Sequence, residues 1–253
     1  MITIEKVRTY GWPEATRGMR NPLNSWPKMD SWSAYDHPCL CNEDFEEYKQ
    51  DGVIPQLAKW TDTCPCSSSC DPRADFYIGE NDLSLMMCLR RAGIDHRKFL
   101  RMIPVYMDIT APMYWWPEFD AYKVGTVSNS CSKMHKLLHK QFELSDFSFD
   151  HLTDVLGSVQ SSKVAEQLVA TLNELRDSWL NEDDVDAKKR IWYSILQLLP
   201  NSYNQKRTVM MNYEVLNNMY KSRKNHKLDE WREFCKVCET LPYAQYLITA
   251  TDI

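Results

Sequence analysis

The chain of 253 residues carries 30 basic and 35 acidic side chains, a formal net charge of -5, with 43% hydrophobic and 26% charged residues. That balance belongs to a soluble globular protein with enough apolar side chains for a core, as one ordinary domain or two small ones. It excludes a wholesale polyanion binder, so neither DNA nor RNA is an expected partner.

Glycine numbers only 7, against roughly 18 at average usage, which excludes the glycine-rich cradles of dinucleotide-binding and P-loop folds. The 9 tryptophans, 13 tyrosines and 8 phenylalanines require a packed interior. No stretch approaches the roughly 20 apolar residues of a membrane span, and Met1 to Trp12 lacks the apolar core of a signal peptide. Nine cysteines, an odd number, read as thiols. The expectation is a cytoplasmic protein.

In chain order, residues 1–36 are aromatic and turn-rich, and Pro13, Pro22 and Pro27 argue against a long helix. A cysteine-bearing stretch follows, with Cys39, Cys41, Cys64, Cys66 and Cys70. Asp82 is a suitable N-cap for a helix over Leu83 to Arg91 that stops at Gly93. Residues 99–109 are apolar and β-prone and predict a buried strand. Pro112 suits the first turn of a helix through Tyr114, Trp115 and Trp116. In the second half Val164, Leu168, Leu172, Leu175 and Trp179 form an apolar helical stripe. Further helices are predicted over 184–198, ending before Pro200, then from Asn204 to Arg223, and from Leu228 onward. Strands first and helices later predict an α+β domain, a mixed or antiparallel sheet packed with long helices.

Four constellations carry potential chemistry. Cys39, Cys41, Cys64, Cys66 and Cys70 near His37 can supply zinc ligands, but C-x-C bites too closely for an ordinary knuckle, and free thiols in a surface insertion are the favoured reading. His135 and His139, four apart on a predicted helix, can share a metal; Lys133, Lys136 and Lys140 oppose it, so a solvated basic face is expected and no metal is assigned. The polar run from Lys123 to Lys133 holds Thr126, Ser128, Asn129, Ser130, Cys131 and Ser132. It can bind phosphate through hydroxyls, backbone N–H groups and an ammonium, or its serines cap the next helix. Asn212 and Arg223, eleven residues apart on a predicted helix, share a face about 16 Å long. Lys224, Asn225, His226 and Lys227 make its end basic, suited to phosphates or simply favoured by the helix dipole.

Together the last two segments resemble the signature regions of the flavin-dependent thymidylate synthase family, the thymidylate synthase complementing proteins. The family motif R-H-R-x-x-S-x-N-E-x-S-x-R follows a strand and an Ala-Pro step, here Ala111-Pro112. Its Arg-His-Arg falls on Ala121, Tyr122 and Lys123, and its next Ser on Thr126. Its Asn-Glu falls on Ser128 and Asn129, its second Ser on Cys131 and its last Arg on Lys133. Leu199-Pro200, Tyr203 and the run Met211 to Arg223 resemble the family's L-P…Y-T and V-N-A-R-S-L-x-N-F-x-x-x-R. The likeness looks closest to phage- and prophage-borne relatives and covers residues 80 to 240.

The resemblance implies a thymidylate synthase complementing protein-like domain over 81–253, with residues 1–80 an extension packed on it. It implies a dUMP-like pyrimidine deoxynucleotide as substrate, C5 alkylation of its uracil, FAD and a reduced folate as cofactors, and a homotetramer. Thr126, Ser128, Asn129, Cys131, Lys133 and Arg223 would hold the nucleotide and its phosphate, and Lys123, Asn212 and Asn218 the flavin. A lysine cannot copy an arginine's two-point grip, so the alternative is a protein that binds or sequesters the nucleotide without chemistry. Cys131 invites one more thought, attack on uracil C6, against the plainer reading of a buried or capping cysteine.

Overall fold

Residues 1–33, 76–132, 137–153 and 160–250 are described by the computed structural model; the zinc-candidate residues from His37 to Cys70, together with Lys133 and His135, lie outside them. Strands β1 (Thr3–Thr9), β2 (Trp32–Ser33), β3 (Phe76–Tyr77), β4 (Pro104–Pro112), β5 (Val127–Ser130) and β6 (Asn204–Asn212) are joined by helices α1 (Trp12–Arg20), α2 (Glu80–Arg91), α3 (Trp116–Phe119), α4 (Ser161–Asn181), α5 (Val185–Leu198), α6 (Tyr213–Arg223), α7 (Asp229–Glu239) and α8 (Ala244–Leu247). Among the described residues one sheet has the strand order β1-β4-β6-β5, and β2 pairs antiparallel with β3. The fold is α+β, as the sequence pattern predicts.

The chain divides into two compact units. The first comprises Met1–Glu5, Asp108–Lys123 and Ser128–Val209; the second comprises Lys6–Met107, Val124–Val127 and Met210–Ile253.

In the first unit, α4 and α5 form a hairpin. Leu172 and Ile195 are wholly buried with Leu138, Phe142 and Phe147, and Leu168, Leu175, Trp179 and Trp192 pack on them. Each buried leucine-sized side chain contributes about 1.5–3 kcal/mol. Val164, expected in the stripe, is 63% exposed, one turn short of the core. Asp184 caps α5, accepting the Ala187 N–H at 2.7 Å. Pro112 ends β4 instead of opening a helix, because its ring offers no N–H for the ladder. The helix that follows is the single turn α3, held by Trp116, whose Nε1 donates to the carbonyls of Ala111 and Gln205. Residues 137–140 form a turn rather than the helix expected there, and His139 is exposed.

In the second unit Trp12 meets Tyr213 and Tyr243 edge-on at 5.1 and 5.5 Å, and the Tyr213 hydroxyl donates to the Pro242 carbonyl. Asp82 is not the N-cap of α2. It lies inside the first turn, fully buried, and pairs with Arg20 at 2.6 Å. It also accepts from the Ser31 hydroxyl and the backbone N–H groups of Asp30 and Ser31. Asp30 does the capping from afar, accepting the N–H groups of Asn81 and Asp82. Cys235 and Cys238 on α7 are buried thiols; burial pushes Cys235 up to about 12 and Cys238 well above its ordinary range, so neither is a ready nucleophile.

Candidate functional site

Strand β6 delivers Asn212 in an extended conformation to the start of α6, where its Oδ1 accepts the Val215 N–H at 3.0 Å. Asn212 is therefore a helix cap, not a helical residue, and the helix expected from Asn204 begins at Tyr213. Gly125 lies directly against this cap. Its φ of +79° is left-handed backbone, and a Cβ there would stand 2.6 Å from Asn212 Nδ2 and 3.2 Å from Val215 Cγ2. The polar run after Lys123 and the segment from Asn212 thus meet at one glycine, which no residue with a side chain could replace without moving the cap.

Thr126 follows immediately. Its Oγ1 is buried and has no hydrogen-bond partner among the described residues. An orphaned hydroxyl beside a polar loop is a donor and acceptor waiting for a ligand group.

Two positions into α6 stands Glu214, a carboxylate in the first helical turn, where the helix dipole favours it. Arg97 Nε approaches it at 3.1 Å, and Arg101 grips it through Nε and through Nη2 at 3.3 Å. Burial pushes the Glu214 carboxyl up, but the hydrogen bonds and charges of Arg101 and Arg97 outweigh that and hold it below its ordinary value. Both arginines come from the 3₁₀ turn Arg97–Met102, whose neighbour Ile103 accepts the Tyr213 N–H.

The other expected residues fall as follows. Asn218 is exposed on α6, and Arg223 is half-buried at its last turn with its guanidinium 4.8 Å from the Trp231 ring. In the first unit, Lys123 is exposed, and Ser128 and Asn129 lie on the exposed strand β5. Cys131 is an exposed thiol, not a buried one. Its N–H donates to the Lys206 carbonyl, and its own carbonyl accepts Gln205 Nε2 at 3.1 Å. Gln205 is steered by Arg207, whose Nε donates to Gln205 Oε1, whose Nη1 donates to Asp120 and whose guanidinium lies 4.0 Å over the Trp116 ring. Sequence reading missed Arg97, Arg101, Glu214, Gln205 and Arg207. An Arg pair four apart was the available signal for the first two; the rest depend on contacts remote in sequence. A groove of about 420 Å³ on α2, lined by Glu80, Leu83, Ser84, Met87, Cys88 and Arg91, contains none of these residues.

The fold so assembled is that of the flavin-dependent thymidylate synthases. One solved structure that shares it is the flavin-dependent thymidylate synthase ThyX from Helicobacter pylori complexed with FAD and dUMP, at 17% identity over 97% of this chain and 98% of that one, with a TM-score of 0.56. Another, thymidylate synthase X from Helicobacter pylori with FAD and dUMP, matches at 17% identity over 98% of this chain and 96% of that one, with a TM-score of 0.54. No family model matches the sequence, and no curated protein matches it. No helix among the described residues is long and apolar enough to cross a membrane.

Proposed function

We propose that the chain binds a dUMP-like pyrimidine deoxynucleotide at the start of α6 and the polar segment beside it. The observation that carries this reading is the orphaned Thr126 hydroxyl next to the Gly125–Asn212 contact, in a fold whose solved relatives hold FAD and dUMP. Thr126, Ser128, Asn129 and Cys131 line the polar segment, with Lys133 beyond the described residues, and Arg223 supplies a cation at the far end of α6. The site is completed in a homotetramer, where Arg223 of one subunit faces the 123–133 segment of a neighbour.

The residues present fit a polar, phosphate-bearing group such as FAD. The Thr126 hydroxyl lacks a partner, Lys123 and Asn218 are exposed, and Asn212 fixes the start of the helix that carries Asn218. Bound FAD would supply the electrons for reducing a one-carbon unit brought by a reduced folate. The chain's own residues bind and orient: hydroxyls and amide groups of 126–131 take phosphate or sugar oxygens, and cations balance their charge.

A second reading, a binder without chemistry, is favoured by Ala121, Tyr122 and Lys123 and by Glu214, an acid where the resembling motif V-N-A-R has arginine. Calorimetry with dUMP, followed by an assay for methylated product with FAD and methylenetetrahydrofolate added, separates the two. Binding with turnover supports the enzyme, binding with dUMP recovered intact supports the binder, and no binding refutes both.

A further inference from the structure

Two guanidiniums share the Glu214 carboxylate at the first turn of α6, with Asp95 acting on Arg101 through its charge, and they hold more N–H donors than Glu214 takes. Arg97 and Glu214 side chains are 12% and 11% exposed, while Arg101 is 47% exposed. Arg97 uses Nε for Glu214, and its two terminal nitrogens have no hydrogen-bond partner among the described residues. Arg101 uses Nε and Nη2 and keeps Nη1 in the same state. None of these terminal nitrogens is among the buried side-chain atoms without a partner, so they reach solvent and are open to donate to an incoming ligand. Planar N–H forks match phosphate oxygens better than any other acceptor class except carboxylates. The polar segment by itself is short of charge, since Lys123 is its one cation among the described residues 123–132.

We propose that Arg97 and Arg101, aligned by Glu214, form a clasp for a phosphate group of the bound ligand. Glu214 is a positioning residue here, holding both guanidiniums at the helix start. The proposal rests on the chain being a nucleotide binder, and the phosphate it takes belongs either to dUMP or to the pyrophosphate of FAD.

The test is calorimetric titration of the wild-type chain, Arg101→Ala, Arg101→Lys and Arg97→Ala with dUMP, deoxyuridine and FAD, with a thermal melt of each variant. Removing one charge-assisted fork weakens the phosphate-bearing ligand about 10- to 100-fold and leaves deoxyuridine unchanged. Lysine restores part of the loss. A loss confined to dUMP or to FAD names the source of the phosphate. If wild type binds dUMP or FAD and Arg101→Ala and Arg97→Ala, both folded, bind them equally well, the clasp is refuted while nucleotide binding stands. If wild type binds neither, nucleotide binding and the clasp fall together.

Discussion

Replacing Gly125 by alanine perturbs the contact between Gly125 and the Asn212 cap. Left-handed backbone costs an alanine about 1–2 kcal/mol, and Gly125 has φ +79°. The new methyl would also stand 2.6 Å from Asn212 Nδ2. The amide cannot swing freely, because its Oδ1 holds the Val215 N–H, so relief of the clash forfeits a cap worth about 0.5–2 kcal/mol. The expected cost is about 1.5–4 kcal/mol, which for a chain of this size lowers Tm by about 3–16 °C. Thermal unfolding of Gly125→Ala, Asn212→Ala and the double variant measures it. Because the alanine acts partly by displacing the cap, Asn212→Ala should cost little more once Gly125→Ala is present. A Gly125→Ala protein as stable as wild type, or two fully additive losses, would refute the contact.

Asp82→Ala strands the buried Arg20 guanidinium (4% exposed) and should cost about 3–5 kcal/mol, measured by denaturant unfolding. Burial raises the Asp82 carboxyl, but hydrogen bonds from Ser31, Arg20 and Asp30 outweigh it and hold it below 3.8. Its stabilisation is therefore complete above pH 3.8 and lost as pH falls through the lower folded value, so wild type and Asp82→Ala should converge in strong acid. Thr126→Val removes an unpartnered buried hydroxyl: the free protein should melt no lower than wild type, while dUMP affinity falls, and a large loss of stability without ligand would show that the hydroxyl has a partner in the fold. Mixing Arg223→Ala with Lys133→Ala should recover part of the nucleotide binding if sites are shared between subunits, and none if each chain builds its own.

Legibility in sequence follows the range of the interactions. The α4–α5 hairpin is written in local periodicity, and Asp184 announces its second helix. Three elements were misread where a local signal met a distant partner. Asp82 looks like a cap, yet Arg20, 62 residues away, claims its carboxylate. Pro112 looks like a helix start, yet it closes a strand. Residues 204–212 look helical because Val209 continues the spacing of Tyr213, Leu216 and Met219. Burial of Val209 and Met211 around a half-buried Met210 shows the strand period instead. The polar segment and the Asn212 region were both visible as candidates, and Gly125 joins them. The Arg97–Glu214 pair spans 117 residues, so two arginines four apart are the whole of its local trace.

Amide hydrogen exchange with and without saturating dUMP tests the central claim most directly, because it reads where the ligand sits as well as whether it binds. Protection should rise in peptides covering 97–103, 124–131 and 212–218. Protection confined to other segments, such as the Leu83–Arg91 face of α2, or no change at any dUMP concentration, would contradict a nucleotide site at the start of α6.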